Sequence, residues 1–131
     1  MNNQVFNFDV RQSKKTMKNI DDLTKRIITF RDARNWKQFH NPKDVALSLV
    51  LEASEVMEHF QWKNKEEIEK YVLEKKGEIG EELADVLYWV LLMGHDLNID
   101  VLEALEVKIK KNEEKYPVEK AKGKHTKYNE L

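Results

Sequence analysis

Two stretches decide the fold: LSLVLEASEVMEHF at residues 47–60 and EIGEELADVLYWVLLM at residues 78–93. In the first, Val45, Leu49, Val56 and Phe60, with Ala46, Val50, Ala53 and Met57, recur at helical spacing over a wide arc. The second is apolar nearly all round from Leu83 to Leu97. A helix apolar on every side is central in its bundle or buried against a partner chain. Each stretch nevertheless carries two acids three residues apart, Glu52/Glu55 and Glu82/Asp85. That spacing puts both carboxylates of a pair on one helix face, one turn apart. Charges set into core-facing segments are costly unless something neutralises them.

Working outward, Asn19 or Asp21 caps a first helix over about 20–37, with Leu23, Ile27, Phe30 and Arg34 on one stripe. His40-Asn41-Pro42 ends it, because the residue before proline disfavours the helical region. The first acidic stretch then forms a helix over about 43–61. Asn64 and Glu67 make a capping box for a short connecting helix over about 65–76. Gly77 and Gly80 mark a join, and the third main helix runs over about 78–96. Asp100 caps the last, about 101–115, which Pro117 closes. Residues 1–18 show no sustained period and are expected to form a flexible or loosely docked arm. Residues 19–131 are one domain, with a polar, lysine-rich tail from about 118. Strand alternation, βαβ patterning and internal repeats are missing. The expectation is an all-α bundle of four main helices.

The bulk numbers exclude several functions. Net charge is −1, so no global basic signal for a nucleic-acid polymer exists. Cysteine is absent, which rules out disulfides, thiol catalysis and thiolate metal sites and suits a reducing cytoplasm. The start of the chain lacks the apolar core of a signal peptide. The longest apolar run, Val86 to Met93, is far short of the roughly 20 residues that span a bilayer. The expectation is a cytoplasmic protein with no membrane partner.

A single ExxE in a helix commonly lines a solvated edge and pairs with lysines. Two such pairs embedded in apolar sequence on neighbouring helices point instead to a shared cation. Carboxylates without Cys or His suit Mg²⁺, or Mn²⁺. A di-iron bundle would need Glu-x-x-His, and the residues three before His59 and His95 are Val56 and Leu92. A hard ion held by carboxylates usually completes its shell with substrate phosphates. Around the acids, Phe30-Arg31-x-x-Arg34-x-Trp36-x-x-Phe39-His40 and Gln61-Trp62 combine cations with rings that could wall a nucleobase. Edge-of-core packing for the tryptophans and a loop role for His40 are the plainer alternatives. Lys108, Asn112 and Tyr116 share one face of the last helix, where Lys108 could reach a phosphate and Asn112 a phosphate or sugar.

The ordered set FRDARNWKQFHNP, LEASEVMEHFQW, EELADVLYW, KNEEKYP and KYNEL resembles the MazG-like all-α nucleotide pyrophosphohydrolases. The likeness is to the dCTP pyrophosphatase 1 subgroup and covers about residues 22–131. It implies cleavage of a nucleoside triphosphate, usually a deoxynucleotide, to the monophosphate and pyrophosphate. It implies Glu52, Glu55, Glu82 and Asp85 as metal ligands, with Glu52 or Glu55 acting on the attacking water. It also implies a base and sugar pocket drawing on Trp36, Phe39, His40 and Trp62, and a homodimer or homotetramer. Animal members of the subgroup have a His where this chain has Ile27 and a Tyr where it has Trp89, both at nucleotide-pocket positions. These departures open the base preference: dCTP or a modified deoxynucleotide first, then a dUTPase-like or broad-specificity activity. A helical interaction module without catalysis is the reading from another class, and the complete acid pairs count against it.

Overall fold

The computed structural model describes residues 19–131; the expected arm at 1–18 lies outside the described residues. The described residues are helical throughout their ordered elements, with no strand among them. Helix α1 spans Ile20–Asp32, α2 Pro42–Glu58, α3 Lys65–Glu74, α4 Lys76–Asp96 and α5 Val101–Lys115. A single turn, α6, follows at Val118–Ala121. None of these helices is long and apolar enough to cross a membrane.

The caps are those the side chains favour. The Asn19 side chain accepts from the Asp21 amide, and Asn41 does the same for Asp44, with Pro42 pre-set in the first turn. Asn64 and Glu67 form the full capping box on α3. Asp100 accepts from the amides of Leu102 and Glu103.

Two expected boundaries move. The first helix stops at Asp32, five residues short of the expected 37. Asn35 adopts a left-handed backbone (φ 55), and Trp36–Phe39 continue as a 3-10 turn. Asparagine tolerates that conformation better than most residues, and the reversal brings Trp36 edge-on to Phe30, with ring centres 5.6 Å apart. Gly77 and Gly80 do not mark the join; both lie inside α4. The change of direction falls at Lys75 (φ −116, ψ 22), whose amide still bonds Tyr71 O at 2.8 Å.

Helix α4 is central and packs against α1, α2, α3 and α5, most extensively along α2. Val45, Leu91 and Leu92 are its fully buried apolar centre. The other apolar residues of α4 are not enclosed: Leu83 is 54% exposed, and Leu87 and, just past the helix, Leu97 are also open. Helix α5 buries nothing, since every residue from Leu102 to Tyr116 is exposed.

The stripe expected on α1 also shifts. Phe30 is exposed, while its neighbour Arg31 is the most buried charged residue, 1% exposed. Its Nη1 donates to both Asp96 carboxylate oxygens at 2.8 Å, and its Nε donates to Asp32 at 3.0 Å. A cation at the end of α4 also complements that helix's negative C-terminal pole. The pair ties α1 to the far end of α4, so Arg31 is occupied in holding the bundle together.

Gly94 is required where α4 turns into α5. A Cβ there would sit 2.7 Å from Val101 Cγ1 and 3.2 Å from Ile99 O. The Ile99 amide bonds Gly94 O at 2.8 Å, so the backbone closes tightly on this position. Valine is stiff at χ1 and cannot swing aside. Gly94→Ala is expected to cost about 1–3 kcal/mol by overpacking, and Val101→Ala in the same chain to recover part of the loss. Urea unfolding of the single and double variants checks this.

Candidate metal centre

The long contact between α2 and α4 brings the two acid pairs face to face. Glu52, Glu82 and Asp85 each offer a carboxylate oxygen, and the three atoms lie within 4.8 Å of one another. Glu52 and Glu82 are half-buried and Asp85 is exposed. Glu55 is not one of these three but lines a cavity together with Glu82. Hydrogen bonding with the Glu82 carboxyl and that residue's charge raise the Glu55 pKa, desolvation and the Glu58 charge add to this, and hydrogen bonding with Glu52 opposes it. None of the four acids takes part in an ion pair among the described residues.

Three carboxylate oxygens this close, with no lysine or arginine paired to them among the described residues, fit a divalent ion. The donors are hard oxygens, which suits Mg²⁺ or Mn²⁺. Glu78 is paired with Lys75 at 2.8 Å and stands apart from the cluster.

The aromatic residues divide into two groups. Trp89 reaches the cluster directly: its indole N–H donates to Glu52 Oε1 at 3.3 Å. His40 meets Trp89 edge-on, with ring centres 5.4 Å apart. His40 Nδ1 is buried without a hydrogen-bond partner. Trp36 packs on Phe30, with the Arg34 guanidinium 3.7 Å from the Phe30 ring centre. Phe39 projects outward, and Trp62 is 87% exposed, a large ring in the turn after α2 with almost nothing covering it. Ile27 lines an apolar cavity of about 380 Å³ with Leu23, Phe30, Leu87 and Leu91. Lys108 and Asn112 are exposed on α5. Lys108 lines a groove with Asp100, Glu103 and Lys111 that includes none of the four acids.

Two residues escaped the sequence reading of the site. His59 and Tyr71 line a cavity of about 420 Å³ with Glu55, Glu58 and Glu82. His59 Nδ1 lies 2.7 Å from the Tyr71 hydroxyl, and the Lys63 ammonium sits 4.1 Å above the Tyr71 ring. His59 directly follows the acidic run, which is a local signal. Tyr71 gave none, because only the fold-back of α3 brings it there.

The MazG-like family profile matches residues 47–131, which hold all four acids. The chain belongs to the MazG-like family. Trp62, Trp89, Lys108 and Asn112 fall inside the matched region, and Trp36, Phe39 and His40 precede it. The MazG-like chain is 32% identical over 114 residues to dCTP pyrophosphatase 1 of Mus musculus and of Homo sapiens. Each match covers 86% of this chain and 67% of the relative. The crystal structure of a pyrophosphatase from Archaeoglobus fulgidus superimposes with a TM-score of 0.72 at 38% identity. That match covers 75% of the MazG-like chain and 92% of the archaeal one.

Proposed function

We propose that this chain hydrolyses a nucleoside triphosphate of the dCTP or modified-deoxynucleotide class to the monophosphate and pyrophosphate, using Mg²⁺ or Mn²⁺. The enzyme class rests on the family and on relatives named as pyrophosphatases: the chain is a nucleoside triphosphate pyrophosphohydrolase. The observation that carries the metal-dependent reading is the convergence of Glu52, Glu82 and Asp85, three hard oxygen donors from two facing helices.

An ion held by these acids and Glu55 would offset the triphosphate charge and favour ionisation of a nearby water. The residues do the rest. Glu55, on the cavity lining beside Glu82, would take the proton of the attacking water. The water oxygen bonds to phosphorus in line as the α–β bridging bond breaks, and pyrophosphate departs. His40 and Trp89, already in contact, form one wall for the base, and Trp36, Phe39 and Trp62 supply exposed rings for the other. Lys108 and Asn112 serve the phosphates or sugar from α5.

That last role calls for a second copy. The open apolar residues of α2 and α4 (Leu47, Val50, Leu51, Leu83 and Leu87) and of α5 (Leu102, Leu105 and Ile109) support a homodimer or homotetramer. The cytoplasm is the proposed location.

Broad base acceptance is the second reading: Ile27 itself offers no polar atom for reading a base edge, although Arg26 and Tyr88 line the same cavity. Pyrophosphate release from a panel of canonical and modified nucleotides separates the readings. Activity with at least one nucleotide, abolished by EDTA and restored by Mg²⁺ or Mn²⁺, is the expected outcome. A panel left intact in the presence of Mg²⁺ would sink the proposal.

A further inference from the structure

We propose that Trp89 is a positioning residue of the metal centre, its indole N–H holding the Glu52 carboxylate toward the cation, a role that rests on the metal-dependent reading above. Resemblance placed Trp89 against the nucleotide. The structure adds a bond to an acid of the cluster, and the chain's register explains it. Glu82, Asp85 and Trp89 stand at i, i+3 and i+7, one face of α4. The indole therefore lies one turn beyond Asp85 and crosses to α2, where it meets Glu52 Oε1 at 3.3 Å.

The chemistry of the donor matters more than the strength of the bond, which at 3.3 Å is long. Glu52 faces other carboxylates, and repulsion favours its rotation away from them. A lysine at this place would hold Glu52 by cancelling its charge and would compete with the cation. The indole is neutral, has one hydrogen to give and no lone pair to offer. It orients Glu52, leaves Oε2 free and keeps the full negative charge on the ligand. The ring is braced on two sides: Tyr88 meets it edge-on with centres 5.3 Å apart, and His40 does so at 5.4 Å. A chain of contacts thus runs from His40 through Trp89 to Glu52, so the residue that walls the base also sets a metal ligand.

Partners of this kind, one step removed from the ion, typically change metal affinity by about 10–100-fold when lost. The test is Mn²⁺ binding followed by the electron paramagnetic resonance of the free ion, on the full chain without nucleotide. Trp89→Phe is expected to raise the Mn²⁺ dissociation constant by about 10–100-fold. The Mg²⁺ concentration for half-maximal activity should rise in parallel. Phenylalanine also removes ring volume, so a second replacement keeps the test decisive. Benzothienylalanine at position 89 puts sulfur in place of the N–H, retains the ring shape and should weaken Mn²⁺ binding to a similar degree. Wild-type affinity with benzothienylalanine, whatever phenylalanine does, overturns the inference and leaves the metal-dependent reading standing. A wild-type chain that binds no Mn²⁺ overturns both.

Discussion

Glu52→Ala and Asp85→Ala are each expected to lower turnover by at least about 10³-fold, equivalent to roughly 4 kcal/mol of transition-state stabilisation. The fold should survive. Glu52, Glu82 and Asp85 repel one another across the α2–α4 contact, with no lysine or arginine paired to them among the described residues. Deleting one carboxylate removes repulsion and leaves no buried cation unpaired. The melting temperature without metal should therefore stay level or rise while activity vanishes. Glu81→Ala is the control, since Glu81 is exposed on the same helix but outside the group of converging carboxylates. It should keep wild-type turnover. Full activity in either Glu52→Ala or Asp85→Ala would refute the metal-centre assignment. Loss of the helical circular dichroism signal as well as of activity would show a folding role instead.

Asp96→Ala should act in the opposite way, with a large effect on stability and a small direct effect on the acid cluster. Arg31 is 1% exposed, and its guanidinium donates to both Asp96 oxygens. Removing Asp96 leaves that buried cation with Asp32 alone. Breaking a fully buried pair by deleting one partner costs about 3 kcal/mol or more. The Asp96 side chain is 23% exposed, so about 1–3 kcal/mol is expected here, which for a chain of this size lowers the melting temperature by several degrees. Replacing both partners with apolar residues, as in Arg31→Leu with Asp96→Leu, should recover much of the loss.

The same pair sets a pH dependence. Burial works to raise the Asp96 pKa, but hydrogen bonds from Arg31 and His95 and their charges outweigh it, and the balance lies below the ordinary aspartate value. The unfolded chain then binds a proton at Asp96 before the folded one does. The pair's contribution is present in full above the ordinary aspartate range and is lost as pH falls through the depressed folded value. Urea unfolding from pH 7 down to pH 3 should show this acid-side loss in wild type. Asp96→Asn should lack that increment. Identical pH profiles would count against the pair's role.

The helices were legible because their signals are local. The Asn64–Glu67 capping box, the Asp100 cap and the bounds of α5 follow from residues within one turn of each other. The misplaced end of α1 shows the limit. Nothing local in Asp32-Ala33-Arg34-Asn35 forces the helix to stop, and the turn is fixed by where Trp36 packs. The burial of Arg31 rather than Phe30 has the same origin, since its partner is 65 positions away.

For the site, the sequence by itself determined the ingredients: two carboxylate pairs at helical spacing, with no thiol and no Glu-x-x-His to offer other metals. Side-chain periodicity is a property of each helix alone, so one face per pair could be read directly. Only the tertiary structure decided that Glu52, Glu82 and Asp85 converge, that Glu55 lines a cavity with Glu82, and that Trp89 reaches back to Glu52. It also brought Tyr71 to His59 and left α5 uncovered. Those outcomes depend on the register and crossing of separate helices, set by the burial of Val45, Leu91 and Leu92 and by the Arg31–Asp96 pair, which no local pattern encodes.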